Sequence, residues 1–237
     1  MKVIDLTLTT PAENLACDEA LLDESEEVLD EEYLRFWEPP EYFVVVGSSN
    51  RIVQEVNVEE CRADSVPILR RHSGGGAVLQ GPGCLNYCLI LKMEGVLSTI
   101  SGTNKMILER HRQALEPMIM QTVEQKGSTD LTIHNMKFSG NSQRRRLRYV
   151  MFHGTFLLQL DLNRVERYLK FPSRQPEYRN NRSHLDFIGN IHLPAENLKA
   201  ALRKVWNAQN EPADIPHSRI QKLLHQRYGA DQWNNRL

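Results

Sequence analysis

Apolar and polar residues alternate over residues 3–9, which predicts a half-buried strand. Thr10-Pro11 then opens a helix, since a proline at the first helical position forfeits no hydrogen bond. Leu15, Ala16, Glu19, Ala20 and residues 22–29 carry that helix. Residues 33–37 and 42–46 are short apolar runs, and Glu38-Pro39-Pro40-Glu41 between them predicts a hairpin with a rigid turn. Asn57 is placed to cap a short helix through residue 64. Strands follow at 67–71, 77–79 and 85–91; Ser73-Gly74-Gly75-Gly76 interrupts the first two and Gly81-Pro82-Gly83 the last two. The longest helical pattern spans 103–124, with Met106, Ile107, His111, Leu115, Met118 and Ile119 on one stripe and Pro117 predicting a kink or interruption. Residues 129–133, 137–138 and 149–160 are further strands, and 196–207 and 215–228 are late helices. The polar, proline-punctuated stretch 171–194 predicts a seam. It divides a core of residues 1–170 from residues 171–237, a polar loop and helices packed on the same domain. Strands and helices that do not strictly alternate predict an α+β fold, a central mixed or antiparallel sheet flanked by helices.

Composition narrows the classes. With 237 residues, 41% hydrophobic and 25% charged, the chain suits a globular domain with a sizeable core. Lys+Arg 29 against Asp+Glu 30 leaves a net charge of -1, so any phosphate site must be local. The run Arg144-Arg145-Arg146-Leu147-Arg148 suggests an anion patch or a solvated basic face; without interleaved aromatics, no nucleic acid is expected. No apolar run is long enough for a membrane span and no signal segment is seen, so no membrane and a cytoplasmic location are expected. Cys17, Cys61, Cys84 and Cys88 are too few for a disulfide scaffold; the Cys84/Cys88 pair lacks completing zinc ligands and reads as buried thiols.

Three segments carry chemistry. The first is Arg70-Arg71-His72-Ser73-Gly74-Gly75-Gly76-Ala77-Val78, in which glycines permit close backbone approach and the arginines offer forked donors for carboxylate or phosphate. It has neither the Walker spacing nor the dinucleotide fingerprint. A tight turn with exposed arginines is the alternative. The second is Lys137-Phe138-Ser139-Gly140-Asn141-Ser142-Gln143, in which a strand-held ammonium neutralises a phosphate or polarises an acyl carbonyl, or is an ordinary solvated lysine. Asp130, just upstream, is a carboxylate for Mg²⁺. The third is His153-Gly154-Thr155-Phe156-Leu157-Leu158, in which His153 is either a ligand contact or a core histidine.

Together with Cys84-Leu85-Asn86-Tyr87, Asp130-Leu131 and a first helix Asn14-Leu15-Ala16-Cys17-Asp18-Glu19-Ala20-Leu21-Leu22, these segments resemble the lipoate–protein ligase family, within the wider biotin/lipoate ligase and octanoyltransferase group. The resemblance spans residues 70–160. It implies a central mixed sheet with a smaller sheet beside it. It further implies that lipoate and ATP give lipoyl-AMP, which acylates a lysine of a lipoyl domain or glycine-cleavage H protein. Lys137 would be catalytic. Arg70, Arg71, Ser73, Gly74, Gly75, Gly76, Ala77 and Asn86 would bind the acyl-adenylate, with Ser139, Gly140, Asn141, Ser142, His153, Gly154 and Thr155 shaping the nucleotide side. Asp130 would help hold Mg²⁺.

Two departures stand out. Gln80-Gly81-Pro82-Gly83 replaces the His-Asp that many ligases carry. Only 77 residues follow Leu160, leaving open whether the family's accessory domain is missing, unnecessary, or a separate polypeptide. An octanoyltransferase, which uses a cysteine as acyl acceptor, and a non-catalytic lipoyl-binding subunit are the alternative readings.

Overall fold

In the computed structural model, which describes residues 1–212 and 214–237, the chain runs β1 (Lys2–Asp5), α1 (Pro11–Glu24), β2 (Tyr33–Trp37), β3 (Phe43–Val46), α2 (Ile52–Glu55), α3 (Val58–Ala63), β4 (Ile68–Arg70), β5 (Val78–Gln80), β6 (Cys84–Lys92), α4 (Ile100–Ile119), β7 (Glu124–Lys126), β8 (Asp130–Ile133), β9 (Met136–Arg145), β10 (Tyr149–Leu157), α5 (Leu162–Tyr168), α6 (His184–Phe187), α7 (Ala195–Val205), β11 (Gln209–Pro212), α8 (His217–Leu223) and α9 (Asp231–Asn234). Eight strands form a mixed sheet ordered β11-β1-β2-β6-β10-β9-β8-β7, and three form a smaller one ordered β4-β3-β5. This is the expected α+β architecture with its second sheet.

Strand β6 sits at the centre and is buried on both faces. Leu85, Tyr87 and Leu89 join the core beneath α4 and α7. Cys88 and Ile90 join the core beneath α1 and α8, and Cys84 joins the core of the small sheet and α5. The cysteines are therefore core thiols. Helix α1 starts where expected: Thr10 and Glu13 form a reciprocal capping box, and Pro11 occupies the first turn. Strand β1 ends early because the Asn14 side chain takes both the N–H and the C=O of Leu8, each at 3.0 Å.

The expected hairpin does not form. Strand β2 pairs with β1 and β6, whereas β3 pairs with β4 and β5. Pro39-Pro40 favours extended backbone, and the segment carries the chain from one sheet to the other instead of reversing it. Asn57 does not cap α3; its amide donates to the carbonyl of Arg167 at 2.8 Å. Helix α4 starts earlier than expected, capped by Thr99, and ends at Met120 in the left-handed region, with Pro117 accommodated in its last turn. Strand β9 runs through Ser139 to Ser142, because pairing with β10 along its length overrides the turn-like composition.

Three of the four arginines of the basic run are engaged in contacts within the chain, and Arg144 is exposed. Arg146 grips Asp23 at 2.5 Å and Arg148 pairs with Asp30 at 3.2 Å. Arg145 donates to the carbonyl of Leu97 at 2.8 Å. Arg146 and Arg148 fasten the β9–β10 hairpin to the acidic end of the first helical segment.

His111 lies wholly inside the core, edge-on to Tyr87 with ring centroids 4.7 Å apart, and neither ring nitrogen has a hydrogen-bond partner. Burial pushes its pKa down from 6.5 to about 3. The unfolded chain therefore takes up a proton that the folded one refuses, and stability falls as pH drops below 6.5. His111→Leu is expected to flatten this dependence, removing up to about 2 kcal/mol of the stability lost between about pH 7 and 5, as read by urea unfolding at each pH.

Candidate active site

A cleft of about 840 Å³ opens between the two sheets. One wall is the turn between β4 and β5. Here Arg71, largely buried, donates to the carbonyls of Gly74 (3.0 and 2.7 Å) and Gly76 (2.8 Å) and to that of Val45 (3.3 Å). Ser142 of β9 adds a third donor to the Gly74 carbonyl at 3.0 Å, tying the turn to the large sheet. Burial alone pushes the Arg71 guanidinium down to about 10. Ser73 bonds His153 Nε2 at 2.5 Å. Burial, with the charge of Arg71 adding to it, pushes His153 down to about 3, so its ring is neutral.

The opposite wall is β9 with β8 and β10. Lys137 Nζ lies 2.8 Å from Asp130 Oδ1, and the Tyr178 hydroxyl donates to Asp130 Oδ2 at 2.7 Å. Burial first, then the Asp130 charge, pushes the Tyr178 hydroxyl well above its ordinary value, so it stays a donor. The lysine folds back over Gly140: a Cβ there would sit 2.8 Å from both Cε and Nζ. A larger residue there would push the ammonium off the strand. Asn141 is a brace. It accepts from the Tyr87 hydroxyl and donates to the Thr129 carbonyl, both at 2.6 Å.

Cross-strand register sets the shape of the floor. Gly140 faces Thr155, Thr155 faces Asn86, and Asn86 faces Trp37. Partners in register share a face, so the row leads from the lysine to the indole over three strand spacings, roughly 14 Å. Thr155 donates to Asn86 and accepts from Gln80, both at 2.6 Å. Leu15 and Val45 join Trp37 to make this end largely apolar, with Asp18, ion-paired to Arg35 at 2.5 Å, also lining it.

The fold thus gathers nearly all the residues singled out from the sequence. Arg71, Gly75, Gly76, Ala77, Asn86 and Asp130 line the cleft, as do Lys137, residues 139–142 and residues 153–155. Arg70, Ser73 and Gly74 do not. The guanidinium of Arg70 points away and is held by the carbonyls of Gly47, Asn50 and Asn234. Sequence reasoning missed Tyr178. It comes from the 3₁₀ turn Glu177–Arg179 within the stretch expected to be a seam, which instead walls the cleft through Pro172, Arg174, Arg179 and Phe187. No local pattern marks it, because its partner lies 48 positions earlier.

The family of the lipoyl protein ligase A/B catalytic domain matches residues 10–206, and the chain belongs to that family. A protein of Aeropyrum pernix named for lipoate-protein ligase A is 32% identical over 167 residues, covering 70% of this chain and 60% of its own length. Octanoyltransferase LipM of Halalkalibacterium halodurans is 25% identical over 274 residues, covering 99% and 98% of the two chains. Among solved structures, a bi-partite lipoate protein ligase from Thermoplasma acidophilum, described with its E2 lipoyl domain, has a TM-score of 0.84 at 21% identity over 99% of this chain and 96% of that one. A lipoate-protein ligase A bound with ATP gives 0.83 at 20% identity over 99% of each. At these identities the structural likeness is one of fold. No helix among the described residues is long and apolar enough to cross a membrane.

Tyr178→Phe keeps the ring but withdraws the donor from Asp130. The expected result is a loss of about 1 kcal/mol in urea unfolding, with faster amide exchange confined to the 176–182 segment.

Proposed function

We propose that the protein is an ATP-dependent lipoate–protein ligase. The observation that carries this reading is the row from Lys137 across Gly140, Thr155 and Asn86 to Trp37. It offers a cation at one end of an elongated cleft and an apolar enclosure at the other, complementary to a carboxylate on a medium-length acyl chain.

The chemistry follows from these ends. A carboxylate is a poor electrophile until one of its oxygens belongs to a good leaving group. One carboxylate oxygen of lipoate attacks the α-phosphorus of ATP, and pyrophosphate departs. The ε-amine of an acceptor lysine then attacks the acyl carbon, and AMP departs with the bonding pair. Lys137 neutralises the α-phosphate in the first step and the acyl oxygen in the second, where negative charge develops. Asp130 balances the ammonium before substrate arrives. The largely buried Arg71 adds positive potential behind the glycine turn, at the edge of the cleft.

Mg²⁺ takes one or two carboxylates and completes its shell with phosphate oxygens and water. Asp130 fits as that carboxylate: it lines the cleft, and its oxygens meet only an ammonium and a hydroxyl. The ion would neutralise phosphate charge there. The acceptors in this reading are a lipoyl domain or glycine-cleavage H protein. A separate accessory polypeptide belongs to the proposal too, since a protein of the same fold is described as bi-partite.

A cysteine-dependent octanoyltransferase is the second reading, because LipM aligns almost end to end. The thiols argue against it. No cysteine lines the cleft, and all four are buried. Burial pushes Cys84 up to about 12 and Cys17 and Cys61 up to about 11, and holds Cys88 well above its ordinary value. A nucleophile needs the thiolate.

The test is intact-mass analysis of an apo lipoyl domain incubated with the protein, lipoate and Mg²⁺, with and without ATP. A lipoyl increment only with ATP is expected, and Lys137→Ala should slow it by at least roughly 10²–10³-fold while folding normally. Cys84→Ser should leave the rate unchanged. Modification from an acyl-carrier-protein donor without ATP, together with a covalent acyl-enzyme lost in Cys84→Ser, would replace the ligase reading with the transferase.

A further inference from the structure

The glycine turn is braced from behind by the far end of the chain. Strand β4 is an edge strand, paired only with β3, so the outward N–H and C=O of Arg70 need other partners. Residues 233 and 234 supply both. Asn234 Oδ1 accepts from the Arg70 N–H at 3.0 Å, and the Trp233 indole N–H donates to the Arg70 carbonyl at 2.9 Å. The Arg70 Nε–H also donates to the Asn234 carbonyl at 3.2 Å.

Arg70 passes this anchorage forward. Its Nη1 donates to the carbonyls of Gly47 and Asn50, at 2.9 and 2.7 Å, and Arg236 donates to the carbonyl of Ser48 at 2.5 Å. The 47–50 turn in turn supports the glycine turn. The Ser48 N–H donates to the Ser73 carbonyl at 2.9 Å. Gly47 packs so closely that a Cβ on it would lie 2.0 Å from the Gly75 carbonyl oxygen. Ser49 and Asn50 themselves line the cleft. The near end of the segment is tied down separately. The Tyr228 hydroxyl donates to the wholly buried Glu19 at 2.6 Å, and His72 Nε2, just before Ser73, lies 3.6 Å from the same carboxylate.

We infer that residues 228–237 are a positioning strap for the glycine turn, with Trp233 and Asn234 as positioning residues that act through Arg70 and the 47–50 turn. The strap touches no reacting atom. It sets where the backbone of Gly74 to Gly76 stands against the bound acid and nucleotide. The catalytic consequence rests on the ligase reading; the structural consequence does not.

Asn234→Ala removes an acceptor from a buried N–H, and Trp233→Phe removes one donor while keeping a ring between Arg227 and Arg236. Amide exchange over 71–77 is expected to quicken roughly tenfold in Asn234→Ala and several-fold in Trp233→Phe, with the sheet strands unchanged. In the ATP-dependent assay, KM for lipoate should rise by a similar factor while kcat changes little. Asn234→Asp restores an acceptor for the Arg70 N–H but not the donor to the Tyr228 carbonyl at 3.0 Å, and should return both readouts part of the way. Unaltered exchange and KM in folded Asn234→Ala would overturn the strap, and so would exchange that quickens uniformly over the whole chain. If Asn234→Ala does not fold, Trp233→Phe is decided by the same readouts. If the unaltered protein shows no ATP-dependent ligation, the ligase reading fails and exchange over 71–77 alone decides the strap.

Discussion

Arg71 donates to the carbonyls of Gly74, Gly76 and Val45 from a largely buried position at the edge of the cleft, and among the described residues no carboxylate pairs with it. Dipoles satisfy its hydrogen bonds but leave its charge in place. A desolvated cation of this kind favours an anion nearby and disfavours a second cation, which is why the charge of Arg71 helps to hold His153 neutral. The same bonds curl the turn against β3 and, through Ser142, against β9. Arg71 holds the turn on the side of the small sheet, and Ser142 and His153 tie it to the large one, so these bonds together set the spacing across the cleft. Lysine could carry the charge but not the fork that reaches two carbonyls at once.

How much of this could be read in the chain follows from the range of each interaction. Elements whose signals are local stand close to where their patterns put them: the capping box of α1, the apolar run of β6 and the helical stripe of α4. Pairing between elements is not local. Residues 33–37 and 42–46 look like hairpin partners because they are neighbours in sequence, yet the strands they form pair in different sheets. Ser139 to Ser142 have turn composition and nonetheless lie in a strand, since β10 pairs with each of them.

The candidate site was legible to the extent that its residues cluster in short segments. Lys137, the glycine turn and the 153–155 segment converge because β9 and β10 are adjacent and both face the turn. Arg70 and Arg71 carry the same chemistry in sequence, and both were expected at the acyl-adenylate. As neighbours at a strand end they point to opposite sides, one holding the turn from within and the other meeting the C-terminal residues. Tyr178 and Trp233 gave no sign at all. Each acts through one hydrogen bond to a partner distant in sequence, a relation that leaves no periodicity behind.

Strand β6 carries a chemical consequence beyond packing. Two of the four thiols lie along it, enclosed by apolar side chains on both faces, and the other two are equally buried. Thiol–disulfide exchange requires a thiolate that can reach the disulfide sulfur in line. None of these thiols ionises readily and none opens into the cleft. A cyclic disulfide held against Trp37 would therefore meet walls inert to it. On the proposed ligase reading, such a ring, carried through two reactions at its carboxyl end, would not be lost to mixed disulfides with this chain.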